Sequence, residues 1–123
     1  MIVSRSARTL FDGDAIASTG YVYNSAGGSD SSAGWFSAKG DNYLIMYNCA
    51  TLSATTLTYR IEGKWAGYTR PVNIYTGTVT SAMTIDNIIT VTENVDELRL
   101  GVKVNNTATP NIFYAGAVIV EKK

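Results

Sequence analysis

Apolar and polar residues alternate along most of this 123-residue chain. Over Glu97–Val104 the alternation is strict. Leu98, Leu100, Val102 and Val104 fall on one face, and Glu97, Arg99, Gly101 and Lys103 on the other. A period of two belongs to a half-buried strand and not to a helix. Residues 112–120 are apolar at nearly every position, which predicts a strand covered on both faces. Residues 105–111, between these two, hold Asn, Thr and Pro, the chemistry of a turn. The two segments are therefore expected to pair as a closing β-hairpin.

The same pattern recurs upstream. Tyr43, Ile45, Tyr47 and Cys49 share one face of a strand, with Leu44, Met46 and Asn48 on the other. Leu57, Tyr59 and Ile61 alternate with Thr58, Arg60 and Glu62. Shorter extended segments are expected at 9–11, 15–17, 21–23, 35–38 and 88–93, and at 72–76, where Pro71 is tolerated as the opening residue. Residues 79–85 read as a weak strand or a loop. Loops fall at 25–34 and 39–42, rich in Gly, Ser, Asp and Asn, and at 63–70, which contains Trp65 and Tyr68. Eight or nine short strands with no helical period predict an all-β fold, a two-sheet antiparallel β-sandwich of jelly-roll type. One such domain is expected over residues 9–123. Residues 1–8 are polar, carry Arg5 and Arg8 and lack periodicity. They read as a flexible N-terminal arm, either a frayed terminus or one that orders on a neighbouring subunit.

Composition narrows the function classes. Ten basic and ten acidic residues cancel, and the charged fraction is 16%, below the usual quarter. A neutral chain gains little from counterion release, so nucleic acid is not expected as a partner. The low charge leaves much of the surface to Ser, Thr, Asn, Gly and eight Tyr, which suits assembly. Few Lys or Pro residues are available to guard strand edges, which predicts a homo-oligomer. With no His, the commonest general base and the usual nucleophile pairs are missing, so no enzyme is expected and no catalytic residue is assigned. The single cysteine, Cys49, cannot form an internal disulfide and reads as an inert core thiol. No run is long enough for a signal peptide or a membrane span, which predicts synthesis in a cytosol and no membrane partner.

Few residues suggest chemistry. Asp12-Gly13-Asp14 reads first as a turn; two carboxylates there could also begin a calcium site. Glu93, Asp96 and Glu97 form a second acidic group, most simply solvated strand and turn residues. Trp35, Trp65 and Tyr68 read either as plugs at the ends of the sandwich or as an exposed platform for stacking on sugars. Asn105-Asn106-Thr107 matches a glycosylation sequon, a weak signal without a secretory context. No metal or cofactor is assigned.

Thr58-Tyr59-Arg60-Ile61-Glu62-Gly63-Lys64 and Glu93-Asn94-Val95-Asp96-Glu97-Leu98-Arg99-Leu100-Gly101-Val102-Lys103 resemble segments of small virion proteins of tailed bacteriophages. The likeness is one of style over most of the chain and is greatest to capsid decoration, or cement, proteins. It implies a β-sandwich that binds the outside of the major capsid protein shell and bridges subunits, often as a trimer. It also implies a place on the virion after assembly in host cytoplasm. No binding residue carries over from the resemblance. The residues expected to meet a partner, on grounds of exposure, are Arg5, Arg8, Leu10, Phe11, Trp65 and Tyr68. The competing reading is a carbohydrate-binding module or a receptor-binding tail component.

Overall fold

The computed structural model describes residues 3–24, 34–38 and 42–122. Nine strands occur there: β1 (Val3–Ala15), β2 (Val22–Tyr23), β3 (Phe36–Ser37), β4 (Asn42–Leu52), β5 (Leu57–Lys64), β6 (Val72–Val79), β7 (Asn87–Val91), β8 (Glu97–Val104) and β9 (Asn111–Lys122). They form two antiparallel sheets. The first has the order β1-β9-β4-β7. The second has the order β2-β8-β5-β6, with β3 also paired to β8. β2 and β3 pair with opposite ends of β8 and act as one interrupted strand. Counted so, each sheet has four strands, and most successive strands change sheet. That is a jelly roll, as the pattern predicts.

The alternation decides which side chains meet between the sheets. Tyr43, Ile45, Tyr47 and Cys49 of β4 point inward beside Phe113, Ala115 and Ala117 of β9. Leu57, Tyr59 and Ile61 of β5 and Leu98, Leu100, Val102 and Val104 of β8 oppose them. Burying each large apolar side chain contributes roughly 1.5–3 kcal/mol, so this layer outweighs any single polar contact. A polar bridge crosses it: the Tyr47 and Tyr59 hydroxyls lie 2.6 Å apart, and Asn87 Nδ2 donates to the Tyr47 oxygen at 2.7 Å. Burial, with the Tyr47 hydrogen bond second, holds the Tyr59 phenol neutral well above its ordinary range. Burial likewise raises the Cys49 thiol. Gly77 of β6 leaves the room Tyr59 needs, since a Cβ there would sit 2.2 Å from its hydroxyl.

Three expectations change. The closing hairpin does not form. β8 pairs with β5, β2 and β3, whereas β9 pairs with β1 and β4. Alternation tells a strand which face to bury but not which neighbour to pair with, and the segment between β8 and β9 crosses from one layer to the other. The N-terminal arm is strand from Val3 onward, paired residue by residue with β9; Met1 and Ile2 lie outside the described residues. β9 is inward-buried, but its outer face is open: Tyr114 is 44% exposed, and Gly116 and Val118 are half-buried. Of the two readings of residues 79–85, the loop holds: residues 80–86 connect β6 to β7, and Val79 closes β6.

One end of the sandwich is tied by Asn111. Its Oδ1 accepts from the backbone N–H of Ser53 and Ala54 at 2.8 and 2.9 Å. Its Nδ2 donates to the carbonyls of Ile16 and Ala108 at 2.8 and 2.7 Å. All four valences of the amide are used, and the residue is fully buried. The end of β1, the β4–β5 crossover and the β8–β9 crossover are thereby fixed together. Replacing Asn111 with Ala leaves these backbone groups without their partner. Each lost partner costs about 1–3 kcal/mol, so urea unfolding of Asn111→Ala is expected to show a loss of about 3 kcal/mol or more.

Candidate functional site

The outer face of the second sheet carries most of its charge. Register sets Glu62 opposite Arg99 and Lys64 opposite Glu97. Glu62 Oε1 meets Arg99 Nε at 2.6 Å, and its Oε2 meets Arg60 Nη2 at 2.7 Å. Both Glu62 and Arg99 are buried, because aromatic rings lie over them. Arg99 sits 3.6 Å from the Tyr23 ring centroid and 4.4 Å from that of Trp35. Arg60 and Lys103 approach Tyr21 at 4.0 and 4.8 Å, and Lys64 approaches Trp35 at 5.2 Å. Gly101 permits this cover, since a Cβ there would lie 2.8 Å from the Tyr23 ring. Asn24 holds the cover down: its Oδ1 accepts from Leu100 N–H at 2.7 Å, and its Nδ2 donates to the Gly34 carbonyl at 2.9 Å. This face is largely occupied by the chain's own side chains.

The outer face of the first sheet is different. Register sets Ala7, Val118, Leu44 and Thr90 in one row across the four strands. Thr9, Gly116, Met46 and Ile88 form the next row. Asp12, Tyr114 and Asn48 begin a third. The first two rows carry no charge. Ile88 is 58% exposed, and Leu44, Met46 and Val118 are half-buried. Between the second and third rows lies a depression of about 260 Å3 walled by Met46, Gly116 and Tyr114. Asp12 and Asp86 also line it, and Asn48 Nδ2 donates to Asp86 Oδ1 at 3.0 Å. An uncharged sheet face of this kind excludes water only when something covers it.

The residues expected to meet a partner divide between these surfaces and the core. Leu10 and Phe11 are buried and unavailable. A bulge between Thr9 and Phe11 turns Leu10 inward as well as Phe11. Phe11 packs edge-on against Phe113 with centroids 5.4 Å apart. Arg8 is exposed, but its guanidinium lies 5.0 Å over the Phe36 ring of β3, bridging the two sheets along the β1 flank. Arg5 lies in β1, and its side chain is outside the described residues. Trp65 and Tyr68 do share a site, a cleft of about 450 Å3 lined also by Lys64, Thr69, Asp96 and Glu97. Trp65 is half-buried against the core and donates its Nε1–H to the Asn94 carbonyl at 2.7 Å. Tyr68 is 53% exposed. Asp96 Oδ2 accepts from Ala66 N–H at 2.5 Å, bracing the loop. Asp12 and Asp14 flank a bulge at Gly13 on β1. No group of three or more metal-binding side chains converges among the described residues. In the sequon, Asn105 Oδ1 accepts from Thr56 N–H at 2.8 Å. Sequence reasoning did not single out the outer rows of Leu44 and Val118 and of Met46 and Ile88 as a surface. Their signal is an apolar residue on both faces of β4 and β9.

No family model and no curated protein matches the chain. Solved structures share its fold. The SPBc2 prophage-derived protein YomS aligns over 98% of this chain and 96% of its own, at 9% identity and a TM-score of 0.58. A protein of Bacillus endospore appendages, a family of disulfide-linked pili, aligns over 98% and 89%, at 13% identity and a TM-score of 0.50. A carbohydrate-binding module of Cellvibrio mixtus lichenase 5A, solved with cellotriose, covers 94% and 97% at 18% identity with a TM-score of 0.35, too low to bear on function. At these identities the likeness establishes the sandwich alone.

The buried ion pair gives a direct check on the closed face. Removing one partner of a buried pair typically costs about 3–5 kcal/mol, because the other charge stays buried. Glu62→Gln is expected to lose that much stability in denaturant unfolding. Replacing both partners, as Glu62→Leu with Arg99→Met, is expected to recover most of it.

Proposed function

We propose that this chain is a structural subunit of a virion, a decoration protein that binds the outside of a major capsid shell and bridges its subunits. The observation that carries this reading is the pair of uncharged rows on the outer face of the first sheet. It presents Leu44, Met46, Val118 and Ile88 in adjoining rows on a rigid layer. Apolar area of this kind stabilises a contact by roughly 25 cal/mol per Å2 covered. Each copy can bind modestly, because a shell offers many linked sites. The reading needs no catalytic group, and it agrees with a chain that has no His. The fold shared with a prophage-derived protein adds support. The pilus likeness supports assembly in general, but its disulfide linkage has no counterpart here, since Cys49 is the one cysteine and is buried.

A second reading rests on the Trp65–Tyr68 cleft. One exposed ring beside the Asp96 and Glu97 carboxylates is an arrangement that can stack on a sugar and fix its hydroxyls, as a receptor-binding tail component would. Tyr68→Ala separates the two readings. Loss of retention on polysaccharide with an unchanged melting point supports sugar binding. No retention of the unsubstituted protein removes it.

The decoration reading is tested by co-sedimentation with purified shells and by copy number in particles of its source. Copies in a simple ratio to the capsid protein are expected. Met46→Glu places a charge that the contact must desolvate, so binding is expected to weaken roughly tenfold or more. Absence from particles, or shell binding indifferent to Met46→Glu, would sink the proposed face.

A further inference from the structure

The two flanks of the sandwich are built differently. Along one flank run β1 and β3, bridged by Arg8 over Phe36. Charges and two bulges interrupt that β1 edge: Arg8, Asp12 and Asp14 stand on it, and the ladder shifts between Thr9 and Phe11 and again between Asp12 and Asp14. Such features keep a second strand from adding to an edge. Along the other flank run β6 and β7, the last strands of their sheets. Tyr59 links them, stacking on Tyr75 of β6 at 6.0 Å and meeting Tyr47, which holds Asn87 of β7.

This second flank is almost uncharged. Across residues 71–92, Asp86 is the one charged side chain, where the chain's overall 16% would put about three or four. The segment is nonetheless mostly exposed. Ile85 is 77% exposed, Ile88 58% and Tyr75 44%. β7 has no bulge in its ladder with β4, and nothing in its sequence, Asn-Ile-Ile-Thr-Val, blocks further pairing.

We propose that the β6–β7 flank is a self-association surface at which a second copy of this chain pairs edge to edge about a twofold axis. The axis passes between the two β7 strands, normal to the first sheet, and makes them antiparallel. A neutral edge is complementary to itself, whereas a partner bearing charge would have to desolvate it here without a counter-ion. Centred on Ile89, the pairing sets Ile88 opposite Thr90 of the second copy. It sets Asp86 opposite Thr92 of that copy, so the one carboxylate does not face its own image. The area fits a reversible dimer. β6 has eight residues and β7 five, so their edges run about 26 and 17 Å at ~3.3 Å per residue, and two layers ~10 Å apart with their side chains make a flank roughly 20 Å deep. That is about 430 Å2 per copy, on the order of 900 Å2 in all, the size of a weak, concentration-dependent contact. Closed twofold contacts are also the commonest in soluble oligomers. This inference deepens the assembly reading above, but its test needs no shell, so the two can fail separately.

The test is light scattering after size exclusion on the full chain over a range of concentrations. Twice the chain mass is expected. Ile88→Lys is expected to weaken the dimer at least tenfold with unchanged circular dichroism and melting, and Ala7→Lys on the β1 edge to leave it intact. The twofold register makes a sharper demand. Adding Thr90→Glu to Ile88→Lys sets each new lysine opposite a new glutamate of the other copy, and the dimer is expected to return. If Ile88→Lys disturbs the fold, Thr90→Lys reads the same contact. A monomer at every concentration overturns the proposal, as does a trimer, or a dimer that survives both lysine variants.

Discussion

The ion pair between Glu62 and Arg99 decides which surfaces of this molecule are available. Two charges cannot stay buried on the outside of a sheet without a roof, and Tyr23 and Trp35 supply it. The roof in turn requires Gly101 beneath it and the Asn24–Gly34 clasp beside it. A buried pair of this kind contributes little net stability over apolar residues of the same volume. Its consequence is one of placement. Once β2 and β3 pair with β8 and lay these rings over it, β8 is buried along nearly its whole length. The first sheet has no comparable cover. Its outer rows stay open because no segment among the described residues crosses them.

Edges follow a similar division. Pairing of β1 with β9 runs from Val3 to Ala15, long enough to invite a further strand. Arg8 and the two bulges work against that. At the opposite side the Tyr59 hydroxyl reaches out past Gly77, where no side chain obstructs it, and links β4, β5, β6 and β7 through one chain of contacts. The edge strands there are held by a buried hydrogen-bonded group and not by charges on their rims. An almost uncharged edge and the uncharged rows of the outer face therefore adjoin along β7.

The sequence carried the layers of this fold better than its connections. Tyr43, Ile45 and Tyr47, then Leu57, Tyr59 and Ile61, then Leu98 to Val104, identify inward faces by alternation alone, and each is buried as expected. Pairing is another matter. β8 and β9 adjoin in sequence and each reads as a strand, yet they belong to different layers, because the Asn111 amide fixes the crossover rather than a hairpin turn. The roof of Tyr21, Tyr23 and Trp35 depends on contacts between segments distant along the chain. No local period announces it. Leu10 and Phe11 misled for a related reason: a bulge, invisible in a three-residue apolar run, turns both toward the core. Tyr68 was legible as an exposed loop aromatic. The charge-poor stretch at 71–92 is plain in the sequence, but it becomes a surface only when topology sets β6 and β7 on one flank.

Ile88 belongs to both proposed surfaces. It stands in the outer row with Met46 and Gly116, and it is also the exposed apolar residue of the β7 edge. A twofold pairing of β7 strands would extend the first sheet from four strands to eight in one layer. The outer rows of both copies would then lie on the same side, since an axis normal to a sheet returns each face to itself. A dimer of this kind presents a docking face twice as wide with no change in either fold. On a shell whose subunits must be held together, width matters more than strength at one point: a contact that spans two subunits resists their separation, and each half raises the effective concentration of the other. Self-association at the neutral edge and attachment through the uncharged rows, as proposed, would therefore be parts of one arrangement, coupled through the sheet they share.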